Sequence, residues 1–228
     1  MHCPICQSPK FQKKSGRENA RCVSCKAMER TRLLYKVLSK YEILEPNIRI
    51  LHIEPEPSLA KIFTQISPSG YFSFSLKSNN NSKMLKLESP CDIDKFPHQS
   101  FDLIIHNHFL EQIPLPVKYT LRVFSDLLKP GGYHIFTTAL EKGLTEEGSK
   151  DLSENERLQR FGQSNRFKKL GKDDFIPLLQ DIWGYDDVYI KNEETFSLQE
   201  YLDAALPEKL FTKISPSTIF FQHHSPVK

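Results

Sequence analysis

Phe101-Asp102-Leu103-Ile104-Ile105-His106, a helical stretch over Val117 to Leu128, then Lys129-Pro130-Gly131-Gly132 and Tyr133-His134-Ile135-Phe136-Thr137-Thr138 together decide the fold. The first run is short, apolar and bounded by polar residues, which predicts a buried strand. Pro and Gly just past the helical stretch predict its stop. The next apolar run is again a strand. Working outward, the same alternation continues. Ile48 to Ile53 predicts a strand, Pro57 opens a helix through about Gln65, and Gly70 to Ser75 predicts a second strand. Lys77 to Lys83 is a polar, Asn-rich loop, and Met84 to Leu87 a third short strand. Asp173 to Gln180 predicts a late helix, packed on the sheet by Phe175, Trp183 and Tyr185. Val188 to Ile190 and Thr218 to Phe221 predict an antiparallel pair at one edge. Alternating strands and helices argue an open α/β sheet with helices on both faces.

The chain has 228 residues, 39% hydrophobic and 26% charged, enough for one sizeable core and a small appendage. No apolar run approaches the roughly 18 residues that a membrane span needs, and the N-terminus shows no signal-peptide pattern. Residues 140–172 form a polar insert after the last central strand, with a helix expected near Glu154 to Phe161.

The appendage is legible from cysteine spacing. Cys3-Pro4-Ile5-Cys6 is answered by Cys22-Val23-Ser24-Cys25. Two C-x2-C pairs at this distance match a structural zinc site, in which four thiolates close a tetrahedron and leave no open position. Buried thiols or two disulfides are the weaker alternative. The remaining cysteine, Cys91, then has no partner, which suits a reducing, cytoplasmic setting. We therefore expect a zinc ribbon over 1–28, a linking helix over 29–45 with Leu34, Val37, Leu38 and Tyr41 on one face, and the α/β body over 46–228.

Charge is unevenly spread. Residues 1–40 hold ten Lys or Arg against two acids, while the rest of the chain holds 21 bases against 26 acids. Four thiolates and one Zn²⁺ lower the ribbon's +8 to about +6. A basic ribbon on a mildly acidic body suggests a polyanionic partner, such as nucleic acid or an acidic sugar chain; a merely solvated arm is the equal alternative.

Ligands of open α/β sheets bind beyond the carboxyl ends of the strands. Those ends are Glu54-Pro55-Glu56-Pro57, Ser75, Cys91-Asp92-Ile93 and His106-Asn107-His108.

Phe101-Asp102-Leu-Ile-Ile-His-Asn107-His108-Phe-Leu110-Glu111-Gln-Ile-Pro114 resembles the "FD-x-I-x-x-x-H-V-L-E-H-I-P" segment of class I S-adenosylmethionine-dependent methyltransferases. Leu127-Leu-Lys-Pro-Gly-Gly132 resembles their turn before the fifth strand. The ribbon, Glu29-Arg30-x-Arg32, Leu51 to Leu59 and Glu156-Arg157-Leu-x-x-Phe161-Gly162-Gln163 resemble a narrower subset with an N-terminal zinc ribbon. The resemblance covers about residues 1 to 190. It implies a Rossmann-like seven-stranded methyltransferase sheet. It also implies methyl transfer from S-adenosylmethionine to an oxygen or nitrogen of an unidentified small-molecule, saccharide or macromolecular acceptor. A catalytically degenerate binding or regulatory module is the alternative.

By position, the resemblance sets Glu54, Pro55 and Glu56 near the methionine part of the cofactor. Asp92 and Ile93 would hold the adenine, Asn107 would line the methyl-donor channel, and His108 would stand at its mouth. Three departures stand out. The turn after the first strand has no glycine, Ser75 stands where an acid usually takes the ribose hydroxyls, and Gln112 replaces a second histidine. A sulfonium is already activated, so positioning and desolvation supply much of the rate, and a base is needed only to take the acceptor's proton. His108 is the first candidate base and His106 the second. His52 lies within a strand and reads as core; His223 and His224 read as surface. Arg157, Arg160, Gln163 and Arg166 of the insert could clamp an anionic acceptor, or form a solvated helix face.

Overall fold

The computed structural model describes residues 1–76 and 96–224. The ribbon is an antiparallel hairpin, β1 (Phe11–Lys14) and β2 (Arg17–Cys22). Its two-residue turn, Ser15-Gly16, has φ of +50° and +76°. Both values lie where a twist-compatible hairpin turn needs them. The two cysteine pairs sit on matching turns: Gln7 N donates to Cys3 O at 2.8 Å and Lys26 N to Cys22 O at 3.1 Å, with positive φ at Gln7 and Lys26.

Helix α1 (Glu29–Lys40) follows. The body is built on β3 (Ile50–Ile53), β4 (Tyr71–Phe74), β5 (Phe101–Asn107) and β6 (Leu128–Thr137), all parallel, with antiparallel β10 (Ile219–His223) in the order β10-β6-β5-β3-β4. Val188–Ile190 lies beyond β10, bridged Tyr189 to Phe220 and bonded from Ile190 N to Ile219 O at 2.8 Å, the expected antiparallel edge pair. The expected strand over Met84 to Leu87 lies outside the described residues, as do Cys91, Asp92 and Ile93.

Two cores cover the sheet's two faces. On one, Ile104, Phe136 and Phe220 meet Leu121 and Phe124 of α3 (Val117–Leu127) and Phe175 and Leu179 of α5 (Lys172–Trp183). On the other, Ile50, Leu103, Ile105 and Ile135 meet Leu33, Leu34, Val37 and Leu38 of α1 and Leu59 and Phe63 of α2 (Pro57–Ile66). The alternation of side chains along β5 is what requires both covers. Helix α1 thus belongs to the body's core as well as to the chain's path from the ribbon. Trp183 stacks on Tyr185, and Phe175 meets Phe136 and Phe220 edge-on, so this aromatic group packs as expected.

Arg32 fastens the ribbon to the body. It is fully buried, and its guanidinium donates to the carbonyls of Asn19, Ala20, Ala27, Ala204 and Ala205 at 2.6 to 3.3 Å. The last two come from the turn after α7 (Leu198–Asp203), beyond the short α6 (Asn192–Thr195). The insert holds β7 (Leu140–Glu141), β8 (Glu146–Glu147), α4 (Glu154–Phe161) and β9 (Lys168–Gly171), with strand order β7-β9-β8. Of these, only α4 was expected; the Ser153 and Glu156 capping box opens it and Gly162, at φ +75°, ends it.

Candidate active site

Four parallel strands bring their carboxyl ends to one edge, where β3, β4, β5 and β6 deliver Glu54, Ser75, Asn107 and Thr137 side by side. At Glu54 the chain turns with φ +52°. That left-handed conformation costs an L-residue roughly 1–2 kcal/mol, and glycine is its usual occupant. The turn opens α2, with Pro57 in its first turn and Glu56 at its N-cap.

Glu56 belongs to a hydrogen-bonded row across the strand ends. His52 is fully buried, with Nδ1 at 3.1 Å from the Tyr71 hydroxyl and Nε2 at 3.1 Å from Glu56 Oε2. Asn107 Nδ2 donates to Glu56 Oε1, and Thr137 Oγ1 donates to Asn107 Oδ1 at 2.6 Å. Burial pushes the Tyr71 hydroxyl up to about 12, so it stays protonated and donates to His52. The Nε2 proton of His52 then goes to Glu56, and every member is satisfied. Burial alone would raise the Glu56 carboxyl, but the bonds from His52 and Asn107 and the nearby charges outweigh it and hold the group below its usual range. The edge therefore carries a fixed negative charge. His52 is a core residue, as expected, yet it orients a site residue.

His108 sits at φ +51°, held by its amide to Thr137 O at 2.8 Å, with 23% of its side chain exposed. Its Nδ1 lies 3.2 Å from Glu111 Oε1, the oxygen that also accepts from Ala139 N at 3.0 Å. Glu111 is 1% exposed, and its Oε2 has no partner among the described residues. Burial opposes its ionisation, but the His108 ring and the Ala139 amide hold it ionised, below the usual carboxylate range. Sequence reading passed over this residue. The available signal was an acid inside the apolar run Phe109 to Ile113.

His106 is a correction. It points away from the strand ends into the core beneath α3, fully buried, stacked on Phe136 and tilted against Phe124. Its Nε2 meets His134 Nε2 at 3.0 Å, and burial pushes both rings down, His134 to about 3. A ring so enclosed cannot reach an acceptor. Gln112 is a tie rather than a proton carrier: its Nε2 donates to His108 O at 2.6 Å and its Oε1 accepts from Asn165 Nδ2 at 2.9 Å.

The insert docks on the His108 turn through that contact and through Phe167 N donating to Glu111 O at 2.8 Å. Its arginines have partners of their own. Arg157 donates to Ser164 O and Leu152 O and lies over the Phe167 ring; Arg160 pairs with Glu146; Arg166 Nη1 lies 3.4 Å from Glu141 Oε1. Gln163 is exposed.

The four cysteines come together in the ribbon, their sulfurs all within 4.8 Å of one another. Cys3 and Cys25 are 3.6 Å apart, Cys6 and Cys22 3.5 Å, and none is in a disulfide. A tetrahedron with Zn–S bonds of about 2.3 Å has edges of about 3.8 Å, so the donor set fits a closed structural zinc site. Part of the ribbon's positive charge is internally matched: Lys13 pairs with Glu18, Arg17 with Glu29, and Arg32 is buried.

Residues 53–136 match the methyltransferase-domain family. No curated protein matches the sequence. Among solved structures, the CurJ carbon methyltransferase aligns with a TM-score of 0.51 and 15% identity over 86% of this chain and 53% of that one. The chain thus spans about half the length of that structure, and the likeness is one of fold. A S-adenosylmethionine-dependent methyltransferase from Archaeoglobus fulgidus gives 0.49 and 11% over 84% and 92%. The 1,6-didemethyltoxoflavin-N1-methyltransferase of Burkholderia thailandensis, with bound S-adenosylhomocysteine, gives 0.48 and 11% over 86% and 78%. No helix among the described residues is long and apolar enough to cross a membrane.

Proposed function

The chain carries a class I methyltransferase domain, and on that premise we propose that it transfers a methyl group from S-adenosylmethionine to an oxygen or nitrogen of an acceptor. The observation that carries this reading is the edge of four parallel strands with a fixed carboxylate row, Glu54 and Glu56, beside the partly exposed ring of His108.

S-adenosylmethionine supplies an activated methyl on a sulfonium centre. The chain's part is to bind, orient and handle one proton. Glu56, kept ionised by His52 and Asn107, favours a cationic ligand at the strand ends. His108 directs Nδ1 to Glu111, which fixes the ring and leaves Nε2 to accept the acceptor's proton. Glu111 touches no substrate; it positions His108 and ties that turn to Ala139 just past β6. The insert is joined to the turn at Asn165 and Phe167, and that attachment beside His108 supports a role in covering the acceptor. Zinc serves the fold, in keeping with a reducing, cytosolic setting.

The test incubates the zinc-loaded protein with methyl-labelled S-adenosylmethionine and a cell extract separated into small-molecule, saccharide and macromolecular fractions. Label should enter one fraction and fall by about 10²-fold with His108→Ala. Label in no fraction, with cofactor bound, would favour the degenerate binding module instead.

A further inference from the structure

We propose that the carboxylate that takes the ribose diol of the cofactor has changed strands, and that Glu54 at the end of β3 does this work in place of the residue at the end of β4. The inference rests on the cofactor reading given above and assigns the diol contact to one side chain.

Nucleoside ligands of open α/β sheets present two vicinal hydroxyls to the strand following the first turn, where a carboxylate accepts from them. Ser75 occupies that place. A hydroxyl cannot supply two charge-assisted acceptors, so the strand end alone would hold a diol weakly. The neighbouring strand compensates. Ile53 pairs with Phe74, so the next residues, Glu54 and Ser75, stand beside each other past the last rung of the ladder. Glu54 N donates to Phe74 O at 2.7 Å, which keeps the two strands together one residue further. The Glu54 side chain then lies across the end of β4: its Oε1 accepts from Ser75 Oγ at 3.0 Å and from the Leu76 amide. A carboxylate borne by β3 is thus delivered to β4.

Three features make this a built arrangement. Glu54 holds φ +52°, a conformation that favours glycine, where a side chain is retained at a cost. Two donors fix its rotamer before any ligand arrives, so little ordering remains for binding. Both described donors fall on Oε1, and a carboxylate offers two oxygens with about four acceptor sites. The serine is also the right partner. An acid at 75 would face the Glu54 carboxylate across hydrogen-bond distance and repel it, whereas a hydroxyl donates. The absent glycine and the absent acid are then one exchange rather than two losses.

The experiment is calorimetric binding of S-adenosylhomocysteine and of its 2′,3′-dideoxy analogue to the zinc-loaded full chain, with zinc content and melting temperature recorded for each variant. The wild type should prefer the diol by about tenfold or more. Glu54→Gln, nearly isosteric, should weaken the diol ligand by a similar factor and bring the ratio close to one. The double variant Glu54→Gly with Ser75→Asp returns the acid to β4 and gives the left-handed turn its glycine, and should recover the preference that Glu54→Gly alone loses. A Glu54→Gln protein that keeps wild-type affinity and wild-type diol preference overturns the inference and leaves the cofactor reading standing. Recovery no better than Glu54→Gly alone also overturns it. A wild type that binds neither ligand overturns both.

Discussion

His108 Nδ1 and Glu111 Oε1 are 3.2 Å apart, and the same carboxylate oxygen accepts the Ala139 amide at 3.0 Å. One buried acid thus joins the loop after β5 to the segment just past β6 and sets the orientation of the partly exposed ring. Glu111→Gln keeps the shape but replaces a charged acceptor with an amide. Label transfer should fall by about tenfold, with S-adenosylhomocysteine affinity within about twofold of wild type. Equal losses in binding and transfer would show instead that Glu111 supports the cofactor pocket.

Arg32 gives a stability prediction. Replacing it with Met leaves five carbonyls short of a donor, four of them in buried contacts and two on the turn after α7. Denaturant unfolding should show a loss of about 3–5 kcal/mol. A loss below about 1 kcal/mol would mean that water or rearranged backbone satisfies these carbonyls without it.

Metal removal should act through the same residue. Cys22→Ser, or chelation of the wild type, should release zinc and loosen the ribbon, since a closed four-thiolate site contributes folding energy directly. Three of Arg32's acceptors lie in the ribbon or just after it, so hydrogen exchange should also quicken around Ala204 and Ala205. Full zinc content and an unchanged melting profile in Cys22→Ser would refute the site.

Acid should weaken the fold early. His106 and His134 are buried with depressed pKa values, so the folded chain resists protons that the unfolded chain takes up below about 6.5. Stability is then complete above about pH 6.5 and falls as pH drops towards 3, by up to about 1.4 kcal/mol per histidine per pH unit. Glu56 and Glu111, whose pKa values are lowered, add their losses only further down, below the usual carboxylate range. Denaturation midpoints between about pH 7.5 and 5 should decline in the wild type and flatten in the His106→Phe, His134→Phe double variant. A level wild-type profile over that window would contradict the account.

The elements with a strong period or a clear stop were legible: β5, α3, β3 and α4 lie within a residue or two of their expected bounds. The four cysteines were legible because ligand spacing is local. Lys129-Pro-Gly-Gly132 was half legible. It ends α3 as expected, but β6 begins at Leu128, and the register shift opposite Phe101 to Leu103 absorbs the turn. Two-residue strands such as β7 and β8 carry no alternation and could not be read. Glu54 on Ser75, Glu111 on His108 and Arg32 on Ala204 were hidden for another reason. Each depends on which strand or segment lies next to which, and no single stretch of sequence contains both partners.

Titration of S-adenosylhomocysteine into the zinc-loaded wild type tests the central claim most directly, that the edge formed by Glu54, Glu56, Ser75 and Asn107 is a cofactor site. Binding in the micromolar range at one site per chain is expected, weakened when Glu56 is replaced by Ala. No binding at millimolar ligand would contradict it, and the carboxylate row would then be a structural feature of the fold.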